Sequence, residues 1–364
     1  MAKSKSDWIC QSCGRVSAAY AGRCSDCGEF ETLVETVRDR PSARVRAAGG
    51  RTAAAPVQPQ PLRAASADRA PRLPLGVPEL DRVLGGGAVP GSIILLGGEP
   101  GIGKSTLLLQ AAAGIALAGG RVLYASGEES AAQIADRAER LGLMATVAAD
   151  TVEILAESEV GAIAEATQSG RPTLLIVDSI QTATLAELEG PAGSVGQVRG
   201  SAEILASVAR ATGAAVILVG HVTKEGSIAG PKTLEHLVDA VIMLDGDRHG
   251  TLRTLRAAKN RFGSTDELGL LEMGEHGHTG IDDPGRAFID DREARAPGAV
   301  VAPLLEGSRP MLVEVQALVA GAAFGAPRRT GRGLDSARLA LLAAVLGRRA
   351  GIAISDRDIY ANLV

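Results

Sequence analysis

The chain has 364 residues, a length that implies two or three domains. Its hydrophobic content of 46% is ample for a buried core, but with aromatics at 2% that core must be built from Ala, Val, Leu and Ile. The formal net charge of -4 excludes a uniformly basic nucleic-acid coat and leaves room for a local basic surface. The longest apolar stretches, such as Leu107 to Ala118, contain Gln or Gly and are too short to span a bilayer. The first residues, Met1 to Asp7, lack the apolar run of a signal peptide. A soluble cytoplasmic protein without a membrane partner is expected.

Residues 1–37 form a short cysteine-bearing unit. Cys10-Gln-Ser-Cys13-Gly14 and Cys24-Ser-Asp-Cys27-Gly28 are paired CxxCG knuckles, and they hold all four cysteines of the chain. Two residues between thiolates let both sulfurs reach one ion, and the following Gly tolerates the turn that offers backbone N–H groups to sulfur. Four thiolates suit a tetrahedral structural zinc site on Cys10, Cys13, Cys24 and Cys27. Iron in the same cage is chemically compatible. A disulfide pair or a redox CxxC is the competing reading. The next segment, 38–72, is rich in Ala, Pro and Arg, with eight arginines against Asp39 and Asp68. It reads as a flexible basic linker, or as an arm that touches nucleic acid through its charge.

From 73 to 285 short apolar runs alternate with helical patterns. Strands are expected at Ser92 to Leu96, Val122 to Ala125, Thr173 to Val177, Ala215 to Val219, Val241 to Leu244 and Thr251 to Ala257, the last near the sheet edge. Helices are expected around Lys104 to Ala118, Ser130 to Leu141, Val160 to Gln168 and Gln197 to Ala211. This alternation predicts an α/β sheet covered on both faces.

Gly98-Glu99-Pro100-Gly101-Ile102-Gly103-Lys104-Ser105 matches G-x-x-x-x-G-K-[ST], with a strand running in and a helix running out. Such a loop wraps phosphates with backbone N–H groups at a helix N-terminus, so residues 98 to 105, with Thr106, are the expected ATP-binding set. Lys104 should reach the β- and γ-phosphates, and Ser105 should ligate magnesium. Asp178, closing the apolar strand Thr173 to Val177, is the expected second magnesium holder, against the alternative of a helix cap. In Ser126-Gly127-Glu128-Glu129-Ser130 either glutamate could polarise the attacking water. The alternative is that Ser126 or Ser130 caps the next helix and the glutamates face its positive end. His221 ends a strand, where it either senses the γ-phosphate or is a surface histidine.

A third unit, 290–364, opens with two strand-like runs, Ala299 to Leu305 and Met311 to Val319, followed by a helical run at Leu334 to Arg349. A turn-helix signal at Ser355-Asp356 comes just before Val364.

The phosphate loop, the strand-end Asp and the Gly-Glu-Glu-Ser step resemble those of RecA-like P-loop ATPases. The doubled knuckle, Lys259-Asn260-Arg261-Phe262-Gly263, and the tail Val313 to Val319 with Gly333 to Leu342 narrow the resemblance to bacterial RadA (Sms) DNA repair proteins, over essentially the whole chain apart from the linker. The resemblance implies a RecA-like ATPase core between a small zinc ribbon and the beginning of a Lon-protease-like α+β domain. That domain is expected to continue beyond Val364, so the chain looks truncated. It implies a ring-forming, hexameric, DNA-dependent ATPase of homologous recombination. Such a motor drives branch migration and helicase-like unwinding on single-stranded and branched DNA, beside a recombinase of the RecA type. Lys224 and Lys232 then become candidate DNA contacts. Lys259 and Arg261 become candidates for acting at the subunit interface near the neighbour's nucleotide, or on DNA. The competing functions are a RecA-fold regulatory ATPase with a protein partner and a Lon-type protease, the latter without an identifiable Ser/Lys dyad.

Overall fold

The computed structural model describes residues 6–10, 16–17, 21–25, 28–30, 33–37, 71–221, 232–246, 250–281, 297–322 and 326–363. The chain divides into two compact units, Met1–Arg69 and Ala70–Val364.

In the first unit, β1 (Ser6–Cys10) pairs antiparallel with β2 (Val16–Ser17) and β3 (Leu33–Val37), in the order β2-β1-β3. Cys24 is buried. A turn closes around it, with the Gly28 N–H on the Cys24 carbonyl at 3.0 Å and the Cys24 N–H on the Glu29 carbonyl at 2.8 Å. Gly28 sits at φ +76, the left-handed conformation that a glycine after the knuckle supplies.

The second unit is built on a nine-stranded sheet in the order β12-β11-β10-β9-β4-β8-β7-β5-β6. Six of these strands run parallel: β4 (Ile93–Gly98), β5 (Val122–Ser126), β6 (Val152–Leu155), β7 (Leu174–Asp178), β8 (Ala215–His221) and β9 (Ala240–Gly246). An antiparallel extension follows: β10 (Leu252–Asn260), β11 (Leu268–Gly274) and β12 (Gly277–Gly280). The helices are α1 (Pro78–Leu84), α2 (Lys104–Leu117), α3 (Ala131–Arg140), α4 (Ala148–Thr151), α5 (Val160–Gly170), α6 (Val195–Thr212) and α7 (Lys232–Glu235).

The central strands β4, β5, β7 and β8 read as near-continuous apolar runs because both sheet faces are buried there. Ile94, Leu96, Tyr124, Ile176 and Ile217 pack with Leu107, Leu108 and Ile115 of α2 on one face. Leu95, Leu123, Leu175, Val177 and Leu218 pack with Ile163 of α5 and with Val198 and Leu205 of α6 on the other. Small residues let the layers close in. Gly114, inside α2, lies so near the chain at Leu75 that a Cβ there would stand 2.2 Å from the Leu75 carbonyl oxygen.

The structure corrects three expectations. β10 runs on to Asn260, so Lys259 lies within a strand, past a bulge after Ala257. β10 is also not at the sheet edge, because β11 and β12 lie outside it. The segment after Ser355-Asp356 is a strand, not a helix: β16 (Arg357–Leu363) inserts between β14 (Arg309–Gly321) and β15 (Arg329–Arg332). A turn signal starts either element, and pairing on both sides decides for the strand. With β13 (Ala299–Glu306), these form a separate four-stranded sheet in the order β13-β14-β16-β15, which α8 (Ser336–Arg349) accompanies. No helix among the described residues is long and apolar enough to cross a membrane.

Candidate active site

Parallel strands place all their carboxyl ends at one edge, and ligands of such sheets bind there. The register fixes which residues meet. Gly98 stands opposite His221 across β4 and β8, and Ser126 stands opposite Asp178 across β5 and β7. The strand-end residues singled out in the sequence therefore converge on the phosphate loop.

The loop leaves β4 at Gly98 and enters α2 at Lys104, with Gly101 at φ +79 and Gly103 at φ +110. Lys104 is buried and donates to the carbonyls of Gly98 and Glu99, both at 2.9 Å. Burial pulls its pKa below the usual lysine value, while the carboxylates of Asp178 and Glu128 work to keep it charged. Ser105 and Thr106 lie half-buried in the first turn of α2.

Asp178 is buried, and its Oδ2 accepts the Tyr124 hydroxyl at 2.7 Å. Tyr124 is itself fully buried, and burial foremost holds its hydroxyl protonated far above the ordinary range. It is therefore a permanent donor to the carboxylate.

The two adjacent glutamates have different surroundings. Glu129 is engaged on both oxygens by Arg137 of α3, at 2.5 and 2.6 Å, and that hydrogen bond raises the Arg137 pKa. Glu128 instead accepts from the Ser179 hydroxyl and, at 3.2 Å, from Nε2 of His221. The His221 hydrogen bond, ahead of that from Ser179, holds the Glu128 carboxyl below its usual value against the opposing effect of burial. Capping falls to Ser130. Ser130 caps α3 in a capping box with Gln133, and the Ser126 hydroxyl accepts the Glu129 N–H at 3.0 Å.

Lys259 and Arg261 belong to a different neighbourhood. Lys259 Nζ donates to the carbonyls of Glu235 and Val238, the latter at 2.8 Å, and burial lowers its pKa. Arg261 is about half exposed and pairs with Asp239 at 3.0 Å. Arg72 holds the same stretch, donating to the Phe262 carbonyl at 2.5 Å with its guanidinium over the Phe262 ring. Lys224 lies outside the described residues. Lys232 opens α7, but its side chain is outside them too, as are Cys13, Cys27 and the side chain of Cys10. Among the described residues no cluster of three or more His, Cys, Asp or Glu stands ready for a metal.

Residues 58–227 match the family model described as AAA domain, and residues 8–35 match that described as rubredoxin metal binding domain. The chain is 44% identical to the DNA repair protein RadA of Bacillus subtilis, over 100% of its own length and 78% of the relative's. It is 46% identical to that of Brucella abortus, with the same coverage. It is also 46% identical to that of Mycobacterium tuberculosis H37Rv, over 100% of this chain and 75% of the relative. The chain belongs to the RadA family of DNA repair proteins. As a RadA-family chain it combines an N-terminal zinc ribbon with a RecA-like P-loop ATPase core. Sequence reasoning had not picked out Tyr124, Ser179, Arg137 or His278 around that core. The first three were hidden inside elements read for their apolar pattern or their glutamates.

Proposed function

We propose that the chain is a DNA-dependent ATPase of homologous recombination and DNA repair. In this reading it works in the cytoplasm as a hexameric ring, a motor for branch migration and unwinding on single-stranded and branched DNA, beside a recombinase of the RecA type. The observation that carries the ATPase reading is the convergence of Lys104, Glu128, Asp178 and His221 on one sheet edge of a RadA-family chain.

The loop from Gly98 to Thr106 binds the phosphates of ATP. Lys104 offsets charge on the transferred phosphoryl group. Ser105 and Asp178 offer the hydroxyl and carboxylate oxygens that magnesium prefers, and bound magnesium would supply further charge neutralisation at the phosphates. Tyr124 fixes the Asp178 carboxylate by its hydrogen bond. Of the two glutamates, Glu128 is the better general base. Its carboxylate is ionised and oriented by Ser179 and His221, whereas Glu129 is occupied by Arg137. His221 is the last residue of β8 and directly precedes the stretch that carries Lys224, with Lys232 beyond it. DNA held by those lysines would thus be linked through His221 to the base.

Arg261, with Lys259, completes the site of a neighbouring subunit or touches DNA. The exposure of Arg261 supports a role between subunits. Cys10, Cys13, Cys24 and Cys27 hold one structural zinc. The buried Cys24 and the left-handed Gly28 behind it fit a thiolate knuckle.

The test is ATP turnover with and without single-stranded DNA at several salt concentrations. Stimulation that fades as salt rises is expected, because phosphate contacts release counterions. Turnover indifferent to DNA at every salt concentration would favour a regulatory ATPase acting on a protein partner.

A further inference from the structure

We propose that His278, far from the phosphate loop in sequence, is a positioning residue for that loop: its Nε2–H holds the Gly103 carbonyl and its ring fills the space beneath Gly103. The inference rests on the ATP-binding reading of the loop.

His278 lies on β12, opposite Met273 of β11, and is 6% exposed. Its Nε2 stands 3.0 Å from the Gly103 carbonyl oxygen. A Cβ on Gly103 would come within 2.6 Å of that nitrogen, so the ring occupies the room that any larger residue at 103 would need. The strand is clamped in return. Gln110 of α2 accepts the His278 N–H at 2.8 Å and donates to the His278 carbonyl at 2.9 Å. The helix side chain thus holds the strand backbone, and the strand side chain holds the first carbonyl of the helix.

The next carbonyl back is held from the same sheet extension. Arg253 of β10, 7% exposed, donates from Nε to the Ile102 carbonyl at 3.2 Å. In a trans peptide the C=O of one residue and the N–H of the next point in opposite directions. The Gly103 carbonyl also accepts the Leu107 N–H of α2 at 3.0 Å; holding the Ile102 and Gly103 carbonyls fixes the N–H groups of Gly103 and Lys104, each opposite the carbonyl of its own peptide. Those are the groups at the helix N-terminus that a bound phosphate meets. The loop is preorganised from behind, and part of the entropic cost of ordering it is met before ATP arrives.

The tautomer follows from the contacts. With Nε2–H donating, Nδ1 is left as a bare lone pair, and it is buried without a partner among the described residues. Burial lowers the ring's pKa, against the opposing effect of the Gly103 hydrogen bond, and the Arg253 cation acts with burial.

The experiment compares wild type, His278→Leu, which fills the space without a donor, and His278→Gln, which can return an N–H to a similar place. Nucleotide Kd, ATP KM, kcat and thermal unfolding are measured on the full chain, with Lys104→Ala alongside. A lost hydrogen bond that orients the loop should raise Kd and KM about five- to tenfold. Interactions made equally in the ground and transition states leave kcat nearly unchanged. His278→Gln should recover most of the loss. If His278→Leu keeps Kd and KM within about twofold of wild type, or only lowers the melting temperature, the proposal is overturned. A folded His278→Gln that stays as weak as His278→Leu also overturns it. Normal hydrolysis by Lys104→Ala would overturn the ATP-site reading and this inference together. A dead Lys104→Ala beside an indifferent His278→Leu overturns the inference alone.

Discussion

Arg309, at the start of β14, donates to the buried carboxylate of Glu79, in the first turn of α1, and so ties the four-stranded sheet to the ATPase core. Glu79 also accepts the Leu270 N–H at 2.8 Å, and Arg309 reaches the Ile281 carbonyl. Both side chains are at most 6% exposed. Removing Arg309 leaves the buried carboxylate only the half-exposed Arg82, 4.0 Å away, as a countercharge among the described residues, and stripping one partner from such a pair costs up to about 3–5 kcal/mol. Arg309→Ala should therefore lower the urea midpoint of the core transition markedly. An unchanged midpoint would show that solvent reaches Glu79 and that the pair contributes little.

The pH dependence of turnover should follow the bonds on Glu128. Its folded-state pKa is depressed, with the hydrogen bond from His221 as the first cause. A depressed carboxyl contributes stability that is present above its unfolded pKa and lost as pH falls through the folded value. The base form likewise persists below the usual carboxylate range. His221→Ala removes the leading cause and leaves only the Ser179 hydrogen bond and the Lys104 charge to oppose burial. The acid limb of the kcat profile should then move to higher pH. A superimposable acid limb would mean that Glu128 does not set it.

Much of this architecture is legible in the sequence, and the failures have identifiable causes. Strands such as Leu174–Asp178 announce themselves because burial on both faces demands unbroken apolar runs. β11 and β12 do not, because Leu-Gly-Leu-Leu-Glu-Met-Gly and Gly-His-Thr-Gly are broken by glycines, and His278 was missed with them. β16 reads as a helix start until its pairing with β14 and β15 is known. In the site, the phosphate loop and Asp178 are visible as motif and strand end. The different surroundings of Glu128 and Glu129 are not, because neighbours in sequence are separated only by what packs around them. Arg137, two turns into α3, takes one, and Ser179 with His221 takes the other.

Arg261 should act in trans. It is about half exposed, and its ion pair with Asp239 is open to solvent on the arginine side, where such pairs contribute little and can exchange for a phosphate. Arg261→Ala should bind ATP but turn it over poorly, since a cation supplied to the γ-phosphate is worth roughly 10³-fold or more in related NTPases. Mixing it with Lys104→Ala should restore some activity, because an intact loop on one subunit meets an intact arginine on another. No recovery in mixtures shown to co-assemble would leave Arg261 as a DNA contact or a structural residue.

The cysteine unit should carry one zinc per chain after dialysis without chelator, read by metal analysis. Cys24→Ser should lose that zinc and leave nucleotide binding intact. Disulfides with no metal would contradict the assignment.

The most direct test of the proposed catalytic site separates the two adjacent glutamates. ATP binding and turnover are measured for wild type, Glu128→Gln and Glu129→Gln under saturating single-stranded DNA. A general base contributes about 10²–10⁴-fold, so Glu128→Gln should bind ATP and lose at least about a hundredfold in kcat. Glu129→Gln, which only disturbs the pair with Arg137, should keep most of its turnover. Near-normal hydrolysis by Glu128→Gln, or a loss confined to Glu129→Gln, would contradict the account.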